Sequence, residues 1–153
     1  LALTVVPAHI EEAIEQSCKA AGVSVISVLV RGQHRQLKLE ISVDAVDGIT
    51  HEHCAHVSRG IDERLENDEW FDRLQAVEIS SPGADVPVRF LWQLNKHVGR
   101  VVSLTLNNNE VCEGELLEID DEKIVLRQLK KKTESSIVTL CADVKEAHVV
   151  IKF

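Results

Sequence analysis

Three histidines fall within one short segment: His51, His53 and His56, with Glu52 and Cys54 between them. Imidazole, thiolate and carboxylate groups are the usual zinc ligands. A helical metal site of the H-E-x-x-H type sets its histidines at i and i+4, on one face. Here the order is H-E-H-C-A-H, with His53 and His56 at i and i+3. The pattern fits surface or capping histidines, and neither a metal nor a cofactor is expected. Asp44 and Asp47 beside Gly48 lack the repeated oxygen ligands and terminal glutamate of a calcium loop. They read as turn residues. Ser80 and Ser81 are candidate nucleophiles by type alone. They sit in no G-x-S-x-G elbow, and no base or orienting partner can be assigned to them. Gly83, Gly99 and Gly114 are isolated and form no phosphate-binding loop. No catalytic constellation emerges, and the chain does not read as an enzyme.

The charged residues carry a clearer message. Lys130, Lys131 and Lys132 are adjacent in a polar stretch, where each lysine near a phosphate adds salt-dependent affinity. Arg89, Lys96 and Arg100, with His97, make a second basic patch. Both are candidate RNA contacts. The net charge is -8, but it is unevenly spread. Residues 1–88 hold 7 basic and 15 acidic residues, whereas residues 89–153 hold 10 of each. An acidic first half does not wrap naked duplex. It suits docking onto a basic protein, with Glu63, Glu66, Asp68 and Glu69 clustered at the far end of the second expected helix.

Hydrophobic periodicity places these residues on elements. Ile10, Ile14, Cys18 and Ala21 follow helical spacing between Pro7 and Gly22. Ser24–Arg31 reads as a strand with Ile26, Val28 and Val30 inward. In Gln36–Val43, Leu37, Leu39, Ile41 and Val43 alternate with polar residues, as in a strand with one buried face. The two strands are expected to pair as an antiparallel hairpin. Cys54, Val57, Ile61 and Leu65 mark a second helix, started by Thr50, with Gly60 either tolerated at the surface or set at a close approach. Residues 75–80 are a third strand. The expected first lobe is α-β-β-α-β, with two helices over one face of a three-stranded sheet. After a short helix at Arg89–His97, strands are expected at Val102–Leu106, Val111–Ile119, Ile124–Leu129, Ile137–Leu140 and Val149–Ile151. Gly114 inside the longest of them fits a sharp bend. A short helix and five short strands point to a small closed barrel.

The stretch Ser80, Ser81, Pro82, Gly83, Asp85 and Pro87 divides these two kinds of periodicity. It is expected to form an inter-domain corner between an acidic α/β domain, residues 1–83, and a barrel domain, residues 84–153. Hydrophobic residues make up 44% and charged residues 27%, a globular composition. No apolar run nears the roughly 20 residues that span a bilayer. No secretory signal pattern is visible, and with no Met at position 1 the natural start is expected to lie upstream or to have been replaced. Cys18, Cys54, Cys112 and Cys141 form no C-x-x-C pair. They are expected to be buried free thiols, in keeping with a reducing cytoplasm.

Three passages resemble the ribosome maturation factor RimP family, also called YhbC-like. The first is Ile41-Ser42-Val43-Asp44 with Gly48-Ile49-Thr50, leading into Cys54-Ala55-His56-Val57-Ser58-Arg59. The second is Ile79-Ser80-Ser81-Pro82-Gly83. The third is His97-Val98-Gly99-Arg100 to Leu104, followed by Glu113-Gly114-Glu115-Leu116. The resemblance implies an N-terminal α/β domain followed by an Sm-like β-barrel. It also implies a non-catalytic, cytoplasmic factor that binds the immature small (30S) ribosomal subunit and promotes its maturation. The implied partners are ribosomal protein S12 and adjacent 16S rRNA. Glu52, Glu63, Glu66, Asp68 and Glu69 are then candidate contacts to the basic ribosomal protein. After Ser-Ser-Pro-Gly the family commonly carries Asp-Arg-Pro behind one variable residue. Here Val86 stands in place of the arginine. A pair of aspartates early in the second helix appears as Glu52-His53.

The alternative is a general RNA-binding adaptor of the Sm-like type, which acts through closed rings. A fused acidic domain makes a monomer the expectation, and light scattering separates a monomer from a stable ring. Replacing Lys130, Lys131 and Lys132 together with alanine is expected to weaken RNA binding and flatten its salt dependence. An unchanged salt slope rejects their phosphate role.

Overall fold

Pro7 and Gly22 bracket the first helix, α1 (Ala8–Ala21). Pro7 is extended at the N-cap, and Gly22 adopts φ 77°, a left-handed angle that glycine accepts without a Cβ clash. The Gly22 N–H donates to the Lys19 carbonyl at 3.1 Å and the Val23 N–H to the Cys18 carbonyl at 2.9 Å. This paired closure uses two carbonyls that the helix leaves unpaired. The structure, a computed structural model, describes residues 5–32, 36–83, 86–128 and 135–151. The chain falls into two units that divide between Pro82 and Gly83.

In the first unit α1 is followed by β1 (Ser24–Arg31), β2 (Leu37–Asp44), α2 (His51–Arg64), the short α3 (Glu69–Asp72) and β3 (Leu74–Ser80). β1 and β2 pair antiparallel. β2 and β3 pair parallel, which the α2–α3 crossover makes possible. The sheet is therefore mixed, in the order β1-β2-β3. Leu39, Ile41 and Val43 of β2 alternate inward and join Ile10, Ile14 and Cys18 of α1 and Val57 and Ile61 of α2 in one core. Each such side chain, fully buried, contributes roughly 1.5–3 kcal/mol. β1 departs from simple alternation. Its register shifts between Val25 and Ser27, so Ile26 is an extra residue in the ladder and Val25 joins Val28 and Val30 against the core.

Gly60 is a site of close approach. A Cβ there would lie 3.1 Å from both Ser17 Oγ and Arg64 Nη1, between α1 and α2. Arg64 donates to Ser17 Oγ and to the Gly60 carbonyl, both at 3.3 Å, across the same crossing. Cys18, at 1% exposure, is a core residue. Burial first, then the charge of Glu15, pushes its thiol up to about 11. Asp68 starts α3 by accepting the Phe71 N–H at 2.9 Å, and its other oxygen lies 2.6 Å from His9 Nε2 at the start of α1. Trp70 and Phe71 of α3 pack against the core.

The second unit opens with Val88, whose N–H donates to the Ala147 carbonyl at 2.8 Å. A helix of the tighter 3₁₀ type follows at Leu91–His97, where the sequence pattern leaves the helix type open. Then come β4 (Val101–Leu106), β5 (Val111–Ile119), β6 (Lys123–Arg127), β7 (Ser136–Leu140) and β8 (Val144–Val149). All pairings are antiparallel, in the order β7-β6-β5-β4-β8. Leu94, Val102, Leu104, Leu116, Ile124, Leu126, Ala147 and Val149 form the core. The last strand lies earlier than its apolar run at Val149–Ile151 indicates, because the small Ala147 is its central inward residue.

The expected Sm-like β-barrel is not observed: the sheet does not close. β7 and β8 are its edges, and among the described residues they do not pair. Their directions explain this. Both run antiparallel to neighbours that run alike, so β7 and β8 point the same way. A single 3₁₀ turn, Cys141–Asp143, joins them. Parallel strands lying side by side need a crossover of roughly a dozen residues. These two instead meet end to end. The Cys141 N–H donates to the Glu122 carbonyl at 2.8 Å, and the Asn107 N–H to the Asp143 carbonyl at 2.9 Å. The turn is thereby held between the β5–β6 and β4–β5 connections, in a sheet that curls without a closing ladder.

Gly114 lets β5 lie close against β6. A Cβ there would stand 2.5 Å from the Arg127 carbonyl oxygen on β6, and a backbone oxygen cannot move aside cheaply. Gly114→Ala is expected to destabilise the chain by about 1–3 kcal/mol, read as a lower urea midpoint. An unchanged midpoint contradicts the close approach. Asp68 gives a pH test. The Phe71 N–H, and secondarily His9, hold its carboxyl below the ordinary value of 3.8. A depressed carboxylate stabilises the fold above its ordinary value and loses that effect as pH falls through the lowered one. Asp68→Asn is expected to reduce the pH dependence of stability below 3.8. An unaltered acid limb rejects its structural role.

Candidate functional site

The sequence candidates separate by role once they are placed. Thr50 caps α2, with its Oγ1 accepting the His53 N–H at 3.3 Å. In return the Thr50 N–H donates to His53 Nδ1 at 2.9 Å. His53 therefore does what a glutamate or glutamine does in a capping box. A histidine at this position gives no capping-box signal in sequence, because the motif is recognised by glutamate or glutamine. His51 and His56 are exposed. Among the described residues no group of three His, Cys, Asp or Glu side chains is placed to hold a metal ion.

Ser80 and Ser81, at the end of β3, line an open cavity of about 380 Å³ with Ile49, Thr50, His51, Cys54 and Ile79. No described hydrogen bond joins either serine to His51. The hydroxyls thus lack an engaged base, and the cavity is a surface hollow beside the start of α2. Gly83 is exposed, Pro82 is half-buried and Pro87 is exposed. Asp85 lies outside the described residues.

The acidic candidates divide in two. Glu52 and Glu63 on α2, Glu66 after it and Glu69 on α3 are all exposed. They put one sign of charge at the surface. Asp68 is already committed to the α3 N-terminus and to His9. The face of the sheet away from the helices is laced by its own pairs, Arg31 with Glu40 at 2.8 Å and Lys38 with Glu78 at 2.7 Å.

Of the basic candidates, Lys130, Lys131 and Lys132 lie outside the described residues. Arg89, Lys96 and Arg100 are exposed and sit before, within and just after the 3₁₀ helix. Two aromatic residues share this segment. Phe90 and Trp92 are stacked, with ring centroids 6.0 Å apart and planes 9° apart. The Arg89 guanidinium carbon lies 5.2 Å from the Phe90 ring centre. Gln93, only 2% exposed, accepts the backbone N–H groups of Arg89 and Phe90 at 2.9 Å each through Oε1. A spacing of i, i+2 is easily overlooked when a segment is read as helical. The arrangement offers π-faces and cations and no assembled acid or base.

Comparison with known proteins places the chain. The profile of the RimP N-terminal domain matches residues 13–85. The ribosome maturation factor RimP of Chlorobium chlorochromatii is 39% identical over 102 residues, which is 66% of this chain and 57% of that relative. The protein of the same name from Pelodictyon phaeoclathratiforme is 35% identical over 129 residues, covering 74% of this chain and 73% of the relative. That from Cytophaga hutchinsonii is 26% identical over 113 residues, covering 73% and 68%. The matched region thus spans little more than half of the first of these relatives. By its identity to the second relative and the extent covered, the chain belongs to the ribosome maturation factor RimP family.

Proposed function

We propose that this chain is a non-catalytic, cytoplasmic assembly factor that acts as a monomer on the immature small (30S) ribosomal subunit and promotes its maturation. The acidic unit docks on a basic ribosomal protein, S12 being the partner that the family resemblance implies. The C-terminal unit meets the adjacent 16S rRNA. The observation that carries this reading is the division of charge within a chain of this family: 7 basic against 15 acidic residues through Val88, then 10 of each. Exposed Glu52, Glu63, Glu66 and Glu69 support the first contact. Exposed Arg89, Lys96 and Arg100 support the second. The mechanism is binding: it holds a protein and an RNA segment in register while the subunit completes folding.

Complementary charges mainly raise the rate of encounter. The test is a pull-down of immature and mature small subunits at low and moderate salt. The chain is expected to retain immature subunits preferentially. Glu63→Lys, Glu66→Lys and Glu69→Lys together are expected to weaken retention roughly ten-fold, mainly through slower association. Absence of binding to both kinds of subunit by folded protein at low salt overturns the reading.

A further inference from the structure

We propose that Arg89, Phe90 and Trp92 form a platform that stacks an unpaired base of single-stranded RNA, with Lys96 and Arg100 holding the flanking phosphates. This deepens the reading above and rests on the C-terminal unit facing RNA. Four observations carry it. First, two flat groups lie beside Phe90: the Arg89 guanidinium carbon is 5.2 Å from its centroid, and the half-buried Trp92 ring is near-parallel to it at 6.0 Å. Second, Phe90 is 38% exposed while Leu94, four residues on, is fully buried. The segment therefore sends its aliphatic residue inward and keeps a large ring at the surface. Third, Gln93 fixes the backbone of Arg89 and Phe90, so the platform is held in place before any ligand arrives. Fourth, residues 86–100 contain Arg89, Lys96 and Arg100 and no Asp or Glu, in a chain of net charge -8.

The chemistry selects the ligand. An aromatic ring or a guanidinium plane accepts the π-face of any base, and nearby cations accept the backbone. A duplex hides its base faces, so the ligand is a loop, bulge or single strand. Aromatic and arginine side chains also anchor protein interfaces. A stretch with three cations and no carboxylate favours the polyanion.

Trp92 supplies a direct readout. With Trp70→Phe in place, Trp92 is the sole tryptophan, and stacking of a base on the platform quenches its fluorescence. Titration with a single-stranded oligoadenylate is expected to quench it saturably. Phe90→Leu keeps the site apolar, and Arg89→Lys keeps the charge but removes the plane. Each is expected to weaken oligoadenylate binding by roughly five- to thirty-fold, as loss of one base stack does, with an unchanged salt slope. Lys96→Ala and Arg100→Ala are each expected to reduce that slope by about 0.7. Oligoadenylate binding without quenching, or binding indifferent to Phe90→Leu and Arg89→Lys, overturns the platform. Should Phe90→Leu cost immature-subunit binding while oligoadenylate leaves Trp92 unquenched, the surface meets protein: the platform fails and the assembly reading stands. Quenching by oligoadenylate in a chain that binds no subunit supports the platform and defeats the assembly reading.

Discussion

The missing Cβ at Gly114 is the constraint on which the C-terminal unit depends. The Arg127 carbonyl occupies the space any side chain would need. β5 can therefore lie close against β6. One short 3₁₀ turn carries the chain from the β7 edge to the β8 edge. β8 in turn receives Val88 along its outer edge, through the Ala147 carbonyl. That bond covers part of a strand edge open to other chains. It also fixes where the chain enters the 3₁₀ helix. The Gly99 N–H donates to the Leu116 carbonyl at 2.8 Å, which ties the far end of the helix back to β5. The basic and aromatic segment is thus held at both ends by the sheet that Gly114 permits.

The N-terminal unit solves a different problem. It carries a concentration of negative charge, 15 acidic against 7 basic residues through Val88, and must fold in spite of it. Its core is aliphatic, from Leu39, Ile41 and Val43 against α1 and α2. The carboxylates are mostly outside, and those that are engaged serve the fold. Asp44 accepts the Ala45 N–H at 2.9 Å in the turn after β2, and Asp68 starts α3. Exposed ion pairs such as Arg31–Glu40 contribute only roughly 0–1 kcal/mol each. Apolar burial and helix capping hold the unit together, and Glu52, Glu63, Glu66 and Glu69 stay exposed.

Much of this was legible in the sequence, for identifiable reasons. α1 carries both of its stop signals, Pro7 and Gly22, and β2 alternates without a fault. Ile26 is buried as expected, but alternation does not reveal the bulge in which it sits. β8 was shifted because Ala147 and His148 carry little hydrophobic signal, whereas Val149–Ile151 carries much. The barrel expectation failed on a point that periodicity does not address. It identifies strands and their inner faces, but not whether the two edges meet. The connection between β7 and β8 holds that answer, since three residues cannot bring parallel strands side by side. At the site, residue type found the cations and acids but missed His53 as a capping acceptor and Phe90 with Trp92 as a stack. Both depend on local backbone geometry rather than on composition.

The central claim is that two chemically distinct units engage two classes of partner on one assembly intermediate. Residue-level crosslinking of the intact chain to immature small subunits tests it most directly. The expected result is protein crosslinks from the α2–α3 acidic surface around Glu63, Glu66 and Glu69, and RNA crosslinks from the segment around Phe90, Trp92 and Arg100. Crosslinks of both units to RNA alone, or of neither to the subunit, contradict the account.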